Sequence, residues 1–312
     1  MSKVLITGGA GFIGSHLTER LVKLGNEVTV IDRTPEKEPE NIKSVIKEIN
    51  FVHSDILNFK TLEETIKGKE YIFHLAANSS VNKSLEKPSW SAEQNILATV
   101  KLLELAVKYG VKKIIFSSSA AVYGDRKELP IKETAPLDPA SPYALDKVTG
   151  ENYMKLFSRL HNIDTVSLRY FNVFGPRQNA DLPHPGGVTI VINQIKNKGS
   201  SQLQGDGKQT RDMIYVDNVV NANILAMKKG SKLNGAAYNV STGKSISICE
   251  LHDKISKLMG VESTREYLPL PKGNIIHSQG DNSLAKSELG FKIEVDLEEG
   301  LKGTLDWSKN QV

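Results

Sequence analysis

The sequence is poor in the features that define several classes of protein. Its 312 residues include one cysteine, Cys249, which excludes an internal disulfide and a metal site built from several cysteines. We expect Cys249, within Ser247-Ile-Cys-Glu-Leu251, to be a buried small apolar residue. No apolar run approaches the roughly 20 residues that span a bilayer. The first residues lead into a strand pattern without the segments of a signal peptide, so we expect a cytoplasmic protein with no membrane partner.

The sequence also has only a small excess of charge of one sign. The 40 basic and 36 acidic residues leave a formal net charge of +4, and this excess is too small and too dispersed to indicate a nucleic-acid-binding surface. With 39% hydrophobic and 24% charged residues, the composition is that of a folded globular protein. A chain of this length forms one large or two ordinary domains and buries a sizeable core without covalent staples.

Short apolar runs alternate with helix-length segments through the first half of the chain; they cover 4–6, 28–31, 51–53, 71–75, 113–116 and 166–169. This alternation predicts an α/β fold of the Rossmann type, a doubly wound parallel sheet buried on both faces. After residue 172 the chain becomes loop-rich, which predicts a smaller C-terminal α/β domain. We therefore expect a Rossmann domain over 1–171, with returning segments at about 213–245, and a mainly substrate-binding domain over 172–312.

A glycine-rich turn joins the first predicted strand to the first predicted helix. It reads Thr7-Gly-Gly-Ala-Gly-Phe-Ile-Gly14 and contains the spacing Gly-x-Gly-x-x-Gly. A side chain at these glycines would keep the backbone from the pyrophosphate of a dinucleotide, or the helix from the strand. The N–H groups of the helix N-terminus then face the phosphates. The turn predicts a dinucleotide site with contacts from Gly8, Gly11, Phe12, Ile13 and Gly14.

Asp32, at the end of the second predicted strand, indicates which dinucleotide binds. A carboxylate there accepts hydrogen bonds from the ribose hydroxyls and repels a 2′-phosphate, which favours NAD over NADP. The neighbouring Arg33 weakens this preference, because an arginine can accommodate the extra phosphate. Asp55 and Ile56 follow the third strand, where the adenine is expected, although Asp55 also suits a turn cap. We expect His74, at the end of the fourth strand, to be a hydrogen-bonded core histidine.

Tyr143 and Lys147 form a Tyr-x-x-x-Lys pair on a predicted helix, and this spacing puts both side chains on one face. A free tyrosine has a pKa of about 10, and a nearby ammonium, together with the positive charge of the nicotinamide, favours the phenolate and lowers that pKa. We therefore predict that Tyr143 is the general base and that Lys147 assists it and holds the cofactor. The preceding strand ends in serines, at the sheet edge where reactive groups collect. Ser119 could relay the proton of a substrate hydroxyl to Tyr143, and Ser117 or Ser118 could equally serve.

Together these motifs resemble the extended short-chain dehydrogenase/reductases, and within that family the UDP-hexose 4-epimerases. The resemblance covers nearly the whole chain and rests on the glycine turn, Asp32, His74-Leu-Ala-Ala77, Ser117-Ser-Ser-Ala-Ala-Val-Tyr-Gly124, Tyr143 with Lys147, Arg169-Tyr-Phe-Asn-Val-Phe-Gly-Pro-Arg177, Gly205-Asp-Gly-Lys-Gln-Thr-Arg-Asp212 and Tyr215-Val-Asp217. It implies a bound NAD, a UDP-linked sugar in the cleft between the domains, and a 4-epimerisation through a transient 4-keto sugar. It also implies a homodimer packed through helices at roughly 92–109 and 143–161.

The resemblance implies further site residues. Additional cofactor contacts are Leu75, Ala76, Ala77, Ser117, Tyr143, Lys147, Tyr170 and Val173, and substrate contacts are Ser79, Ser119, Tyr143, Asn172, Arg211 and Ser278. Asn172 contacts the diphosphate and Arg211 pairs with it, which suits the planar guanidinium. A surface ion pair of Arg211 with Asp206 or Asp212 is the alternative. Ser278 is expected to flank the C2 substituent of the sugar and to leave room for an N-acetyl group.

The chain departs from the epimerase pattern near its C-terminus. Pro271-Lys-Gly-Asn274 stands where related enzymes carry an arginine two residues before a Gly-Asp pair, so the diphosphate contacts and the nucleotide stay open. Three other functions also stay open. A 4,6-dehydratase or decarboxylase would need an acid where Ala120 and Ala121 stand, which argues against elimination chemistry. The others are a reductase that releases its cofactor at each turnover and a non-catalytic NAD-binding regulator.

Overall fold

A seven-stranded parallel sheet lies at the centre of the protein, which this computed structural model describes over residues 1–35, 38–178, 186–269 and 275–309. The strands are β1 (Lys3–Thr7), β2 (Glu27–Asp32), β3 (Asn50–His53), β4 (Tyr71–His74), β5 (Lys113–Ser119), β6 (Asp164–Tyr170), β7 (Asn172–Phe174), β8 (Ser200–Gln204), β9 (Thr210–Arg211), β10 (Met213–Tyr215), β11 (Ala236–Val240), β12 (Ile246–Ser247) and β13 (Thr264–Leu268). The central sheet has the order β11-β6-β5-β4-β1-β2-β3, and all its neighbouring strands are parallel. The prediction of a Rossmann-type α/β fold is confirmed.

Helices connect the strands and cover the sheet. They are α1 (Phe12–Lys23), α2 (Phe59–Ile66), α3 (Val81–Glu86), α4 (Pro88–Ala92), α5 (Ala98–Lys108), α6 (Pro142–His161), α7 (Gly187–Lys198), α8 (Val216–Lys228), α9 (Ile248–Met259) and α10 (Leu297–Lys309). Two 3₁₀-helical segments cover Glu40–Glu48 and Ala120–Tyr123, and two π-helical segments cover Glu93–Leu97 and Ala285–Leu289. The segment Glu93–Leu97 joins α4 directly to α5, so one helical stretch runs from Pro88 to Lys108.

Two layers of helices bury the two faces of the sheet. Leu21 of α1 and Val219 of α8 belong to the core on one face. Leu62 of α2, Leu102 of α5 and Met154 of α6 belong to the core on the other face. Each of these buried side chains stabilises the fold by roughly 1.5–3 kcal/mol relative to its exposure to water. The near-continuous apolar strands follow from this arrangement, because both of their faces are covered.

The carboxyl ends of the central strands lie side by side. Thr7 of β1 pairs with Ile31 of β2 and with His74 of β4, and Ser119 of β5 pairs with Tyr170 of β6. The strand order reverses at β1, which has β2 on one side and β4 on the other. In doubly wound sheets such a reversal opens a crevice at the carboxyl ends, where ligands bind.

The second half of the chain builds a separate apolar core. Its buried residues come mainly from α7, α9 and α10, with Phe174 and Met213 from the short parallel pair β7–β10. Two further pairs, β8–β13 and β9–β12, lie outside the central sheet. The strand β11 returns to the central sheet from within the segment 213–245. The division into domains at 1–171 and 172–312 stays a prediction.

One expectation is modified by the fold. Cys249 is half-buried rather than buried, since it lies at the start of α9, where its Sγ is 3.7 Å from the carbonyl oxygen of Asp206. The expectation for His74 is confirmed: it is buried, and its ring nitrogens lie 2.7 Å from Thr7 Oγ1 and 2.9 Å from Thr99 Oγ1. Within the described ranges, none of the helices has the length and apolar character needed to span a membrane.

Candidate active site

A cleft of about 630 Å³ opens at the carboxyl ends of the central strands. This volume lies within the usual range for small-molecule sites. Every residue predicted to contact the cofactor lines it, together with two predicted substrate contacts: Gly8, Gly11, Phe12, Ile13, Gly14, Asp32, Arg33, Asp55, Ile56, Leu75, Ala76, Ala77, Ser79, Ser117, Ser119, Tyr143, Lys147, Tyr170 and Val173. The structure therefore brings these residues together from distant parts of the sequence, while their individual contacts stay predictions.

Close packing accounts for the glycines of the first turn. A Cβ atom at Gly14 would lie 2.1 Å from the carbonyl oxygen of Gly8, and one at Gly8, where φ is +73°, would lie 2.8 Å from the backbone nitrogen of Ala76. Gly11 caps α1 without a side-chain hydrogen bond. The first N–H groups of α1 therefore face the cleft at the positive end of a helix, which suits a pyrophosphate.

The carboxylate of Asp32 is attached to the glycine turn. The backbone nitrogen of Ala10 donates to Asp32 Oδ2 at 2.9 Å. Burial raises the pKa of Asp32, and backbone hydrogen bonds from Ala10, Arg33 and Thr34 oppose that shift. The acid is thus fixed at the end of β2, at the position where it would accept hydrogen bonds from the hydroxyls of an adenosine ribose.

The guanidinium of Arg33 is held away from this acid. Its Nη1 donates to Asp55 Oδ2 at 2.7 Å and also to Gln94 Oε1. Asp55 Oδ1 accepts from the backbone nitrogen of Leu57 at 2.9 Å, so Asp55 is a turn cap as well as an ion-pair partner. Two acceptors therefore already bind one terminal nitrogen of the arginine that could have bound a 2′-phosphate.

The helix α6 carries the predicted acid–base pair into the cleft. Ser141 caps α6 by accepting from the backbone nitrogen of Ala144 at 3.2 Å, and Pro142 occupies the first turn. One helical turn further on, Lys147 is buried and its Nζ donates to the carbonyl oxygen of Ser117 at 2.7 Å. These contacts fix the start of the helix and one end of the pair against β5.

The two groups of this pair have shifted pKa values. Burial lowers the pKa of Lys147 to about 8, although Asp146 and Glu151 oppose the shift. Burial raises the pKa of Tyr143, and a hydrogen bond with Ser119 only partly offsets this. The expectation that the ammonium and the positive charge of the nicotinamide together lower the pKa of Tyr143 stays a prediction, because in the protein alone burial is the larger effect. Desolvation dominates because Lys147 Nζ lies 5.8 Å from the centre of the tyrosine ring and points at a carbonyl oxygen.

A buried ion pair lies behind α6, and the sequence reasoning missed it. Arg169 donates to Glu151 from Nε at 2.9 Å and from Nη2 at 2.7 Å. Ser118 Oγ donates to the same carboxylate at 2.5 Å, and Arg169 Nη1 also donates to Tyr123 Oη at 2.8 Å. The signal that could have found it is the arginine within the predicted buried strand at 166–169. The network joins β5, β6 and α6 and holds α6 against the serines of β5.

Three predicted substrate residues do not line this cleft. Asn172 Nδ2 donates to the carbonyl oxygen of Asp212 at 3.1 Å. Ser278 is buried, and its backbone nitrogen donates to the carbonyl oxygen of Thr210 at 3.1 Å. The contacts of Asn172 and Ser278 therefore converge on one short stretch around β9, next to Arg211.

The guanidinium of Arg211 contacts backbone rather than acids. It donates to the carbonyl oxygens of Ile275 at 2.7 Å and Ile276 at 3.2 Å. Throughout the described parts of the chain it forms no ion pair with Asp206 or Asp212, so the alternative reading of this arginine is wrong. The departure at 271–274 lies outside the described residues.

The sequence reasoning also missed part of the lining, namely Ile31, Ser54, Val81, Gln94, Ala121, Gln178 and Gly186, whereas it had considered Ser118 as a proton relay and had placed Phe171 near the nicotinamide by resemblance. Gln178 directly follows the motif that ends at Arg177, so that motif could have been extended to it. Gln94 has no local signal. It reaches the cleft only because the helical stretch that contains it crosses the ends of the strands.

The parts fit a bound dinucleotide. The helix N-terminus can hold a pyrophosphate, Asp32 can hold a ribose, and the opposite end of the cleft carries Tyr143, Lys147 and Ser119. A Rossmann-type sheet with this set of groups defines an enzyme of the extended short-chain dehydrogenase/reductase class.

Comparison with known proteins agrees with this class. The sequence model of the NAD dependent epimerase/dehydratase family matches residues 4–241. A UDP-glucose 4-epimerase of Mycolicibacterium smegmatis is 36% identical over 99% of both chains. The structure of a UDP-N-acetylglucosamine 4-epimerase from Methanobrevibacter ruminantium, in complex with UDP-N-acetylmuramic acid, is 38% identical with a TM-score of 0.94, covering 100% of this chain and 99% of that one. The structure of a Thermus thermophilus UDP-glucose 4-epimerase in complex with NAD is 33% identical with a TM-score of 0.89, covering 99% and 100%.

The protein belongs to the NAD dependent epimerase/dehydratase family. It is an NAD-dependent enzyme, and its activity is that of an isomerase.

Proposed function

We propose that this enzyme interconverts the C4 epimers of a UDP-hexose through a transient 4-keto sugar. The observation that carries the proposal is the arrangement of Ser119, Tyr143 and Lys147 at one end of the NAD cleft. Ala120 and Ala121 follow these serines, and neither can supply the acid that elimination of water or loss of a carboxylate would require. The relatives named above, which are 4-epimerases, support the same reaction class.

In the proposed reaction, Tyr143 and Ser119 transfer the proton of the 4-hydroxyl group, and Lys147 assists them. Tyr143 takes the proton of the 4-hydroxyl group, directly or through Ser119. It returns the proton after the 4-keto sugar has rotated in the site so that its other face is presented. The glycine turn, Asp32 and Lys147 would hold NAD, which when bound would supply the acceptor for the hydride of C4 and the donor that returns it to the opposite face of the sugar. Since burial raises the pKa of Tyr143 in the protein alone, the nearby ammonium and the positive charge of the oxidised cofactor must together favour the phenolate. Lys147 also holds the cofactor ribose.

The test is to incubate the purified enzyme with UDP-glucose, and separately with UDP-galactose, and to identify the products by NMR. We expect the same mixture of epimers from either substrate and no net consumption of NADH. Net formation of a deoxy sugar, loss of a carboxyl group or stoichiometric use of reduced cofactor would instead indicate a dehydratase, a decarboxylase or a reductase. A cofactor-loaded protein that turns over no sugar nucleotide would revive the reading as a regulator.

Removing the hydroxyl group of Tyr143 tests the mechanism. We expect Tyr143→Phe to lose at least about 100-fold in kcat, the usual scale for removing a general acid–base group, while the fold and UDP-sugar binding survive. Tyr153→Phe is the matched control, because Tyr153 lies on the same helix α6 but packs in the core beyond the cleft. Near-normal turnover in Tyr143→Phe contradicts the assignment.

We also propose that the enzyme accepts N-acetylated hexoses, so that it interconverts UDP-GlcNAc and UDP-GalNAc as well. The proposal assigns Ser278 to the C2 substituent, where a small side chain leaves volume for an acetamido group. An open pocket rarely rejects the smaller substrate strongly, so simple hexoses should still react. We expect Ser278→Tyr to reduce the rate with UDP-GlcNAc far more than the rate with UDP-glucose, and equal losses on both would contradict this role.

Arg211 is proposed to hold the diphosphate of the substrate. The diphosphate is remote from C4 and keeps its charge throughout, so this contact is the same in the ground state and the transition state. We expect Arg211→Ala to raise KM much more than it lowers kcat. A large loss of kcat at unchanged KM would mean that Arg211 takes part in the chemistry.

We further propose that the active form is a cytoplasmic homodimer that packs through α5 and α6. Leu145 on α6 is 53% exposed, and Leu97, immediately before α5, is 48% exposed. The two helices pack side by side on one face of the protein, and large exposed apolar side chains on neighbouring helices suit an interface.

A further inference from the structure

Asp212 is a fully buried acid between β9 and β10, outside the cleft and directly after Arg211. Its Oδ1 accepts from the backbone nitrogen of Thr242 at 2.8 Å and from Thr242 Oγ1 at 2.6 Å. Its Oδ2 accepts from the backbone nitrogens of Gly243 at 3.1 Å and Gly280 at 3.2 Å. Each carboxylate oxygen thus has two donors, and the acid joins two segments that are far apart in the sequence.

The backbone of Asp212 joins a third segment. Its carbonyl oxygen accepts from both the backbone nitrogen and the side-chain Nδ2 of Asn172, each at 3.1 Å. Nearby, the backbone nitrogen of Ser278 donates to the carbonyl oxygen of Thr210, and the guanidinium of Arg211 donates to the carbonyl oxygens at 275 and 276. The three residues proposed to bind substrate outside the cleft therefore all lie on segments held by Asp212 or by the residue two before it.

The charge of Asp212 is satisfied by hydrogen bonds alone. Across the described ranges no lysine or arginine forms an ion pair with it. Burial raises the pKa of its carboxyl group, and the four hydrogen bonds from Thr242, Gly243 and Gly280 oppose that shift. A buried carboxylate is costly to desolvate unless its acceptor sites are filled. The buried charge of Asp212 is therefore stable only while its four hydrogen-bond donors keep their positions.

We propose that Asp212 is a positioning residue that sets the affinity for the nucleotide diphosphate of the substrate, acting through Arg211 and Asn172 without touching the ligand. The proposal rests on the proposed function, since it takes Arg211 and Asn172 as the diphosphate contacts. The proposal assigns Asp212 to binding and not to chemistry, because the acid–base pair lies on α6 and the glycine turn lies between β1 and α1, and neither is among the hydrogen-bond partners of Asp212 in the described residues.

Asp212→Asn tests the proposal with almost no change in volume. An amide presents an NH₂ group in place of one oxygen, so in either orientation at least one backbone N–H group loses its acceptor. Buried donors left unsatisfied in this way should weaken binding of UDP to the NAD-loaded enzyme about tenfold. The NAD(H) content should be unchanged, and kcat for UDP-glucose should stay within about threefold of wild type while KM rises.

Asp164→Asn is the matched control. Asp164 is also buried, but it lies at the opposite end of the sheet, where it pairs with Lys113 at 3.2 Å and accepts from the backbone nitrogen of Leu233 at 2.8 Å. Asp164→Asn should lower the unfolding temperature at least as much as Asp212→Asn does, because it breaks a buried ion pair. It should leave the affinity for UDP unchanged. Equal losses of UDP affinity in the two variants would reduce Asp212 to a general stabilising residue and overturn the proposal.

A second pair of variants covers the case in which Asp212→Asn does not fold. Thr242→Val removes one of the four donors and should weaken UDP binding about threefold, while Thr242→Ser keeps the hydroxyl group and should restore wild-type affinity. Thr165→Val, which removes a buried hydroxyl that donates to the carbonyl oxygen of Met154 at 2.7 Å, is the control outside the site.

The outcomes distinguish this proposal from the proposed function. If the wild-type enzyme binds UDP but folded Asp212→Asn and Thr242→Val bind it equally well, the role of Asp212 is refuted alone. If the wild-type enzyme binds neither UDP nor UDP-glucose, the proposed function is refuted and this inference falls with it. A weakened UDP affinity in both variants, with the serine variant normal, supports the proposal.

Discussion

Gly14→Ala is the substitution whose effect follows most directly from the structure. The added Cβ would lie 2.1 Å from the carbonyl oxygen of Gly8 and 2.8 Å from the Cα of Gly9, whereas ordinary contacts are about 3.5–4.0 Å. Both neighbours are backbone, so the glycine turn itself must move by about 1 Å or more. Overpacking of this kind costs roughly 3 kcal/mol, and alanine recovers about 1 kcal/mol through its better helix propensity.

We therefore expect Gly14→Ala to lose about 2 kcal/mol of stability, a fall in Tm of about 4 °C for a chain of this size. The displaced turn should also release the cofactor, so the NAD(H) content of the purified variant should drop. Thermal unfolding is measured on cofactor-stripped protein, because bound NAD would raise the Tm by itself. The cofactor content is measured by mass spectrometry after denaturation.

Gly11→Ala is the control for packing. Its Cβ would meet only the carbonyl oxygen of Gly8, at 3.3 Å, so the stripped variant should unfold close to the wild-type temperature. If stripped Gly14→Ala unfolds at the wild-type temperature and the purified variant retains NAD(H) fully, the argument from close approach is wrong.

Three further predictions concern charge and assembly. The amine of Lys147, observed by NMR with ¹³C-labelled lysine in cofactor-free protein, should titrate near pH 8. Because this folded-state pKa lies below the ordinary 10.5, the ammonium is lost and the fold gains stability as the pH rises from about 8 toward 10.5; a midpoint near 10.5 would contradict the buried environment. Asp55→Ala should free Arg33 and lower the ratio of the NADP to NAD dissociation constants at least about fivefold, while an unchanged ratio would mean that the ion pair has no part in cofactor choice. Leu145→Glu should convert a dimer to a monomer in sedimentation, with no change expected if the interface lies elsewhere.

Local patterns were sufficient for the parts of the site that depend on neighbours in sequence. The glycine turn, the acid at the end of β2 and the Tyr-x-x-x-Lys pair each need a fixed spacing on a known element, and all of them line the cleft. The core position of His74 follows from the same kind of signal. Near-continuous apolar strands likewise indicated a parallel sheet covered on both faces.

Tertiary packing decides quantities that the local pattern does not give. Cys249 lies in the first turn of α9, where the turn at Gly207 covers only part of it, so it is half-buried. The pKa of Tyr143 depends on how far it is desolvated and on where the Lys147 amine points, and neither quantity can be obtained from a spacing of four residues.

The sequence by itself determined the alternation of strands and helices, the preference for NAD and the candidate acid–base pair, because spacing on a single element decides which face a side chain occupies. Only the tertiary structure decided which distant segments meet. In the tertiary structure Arg33 binds Asp55 and Gln94. Glu151 pairs with Arg169 behind α6, and three segments meet around Asp212. Such contacts depend on chain positions far apart in sequence, and burial makes them specific, because a charge removed from water must be matched by donors or an ion of opposite sign.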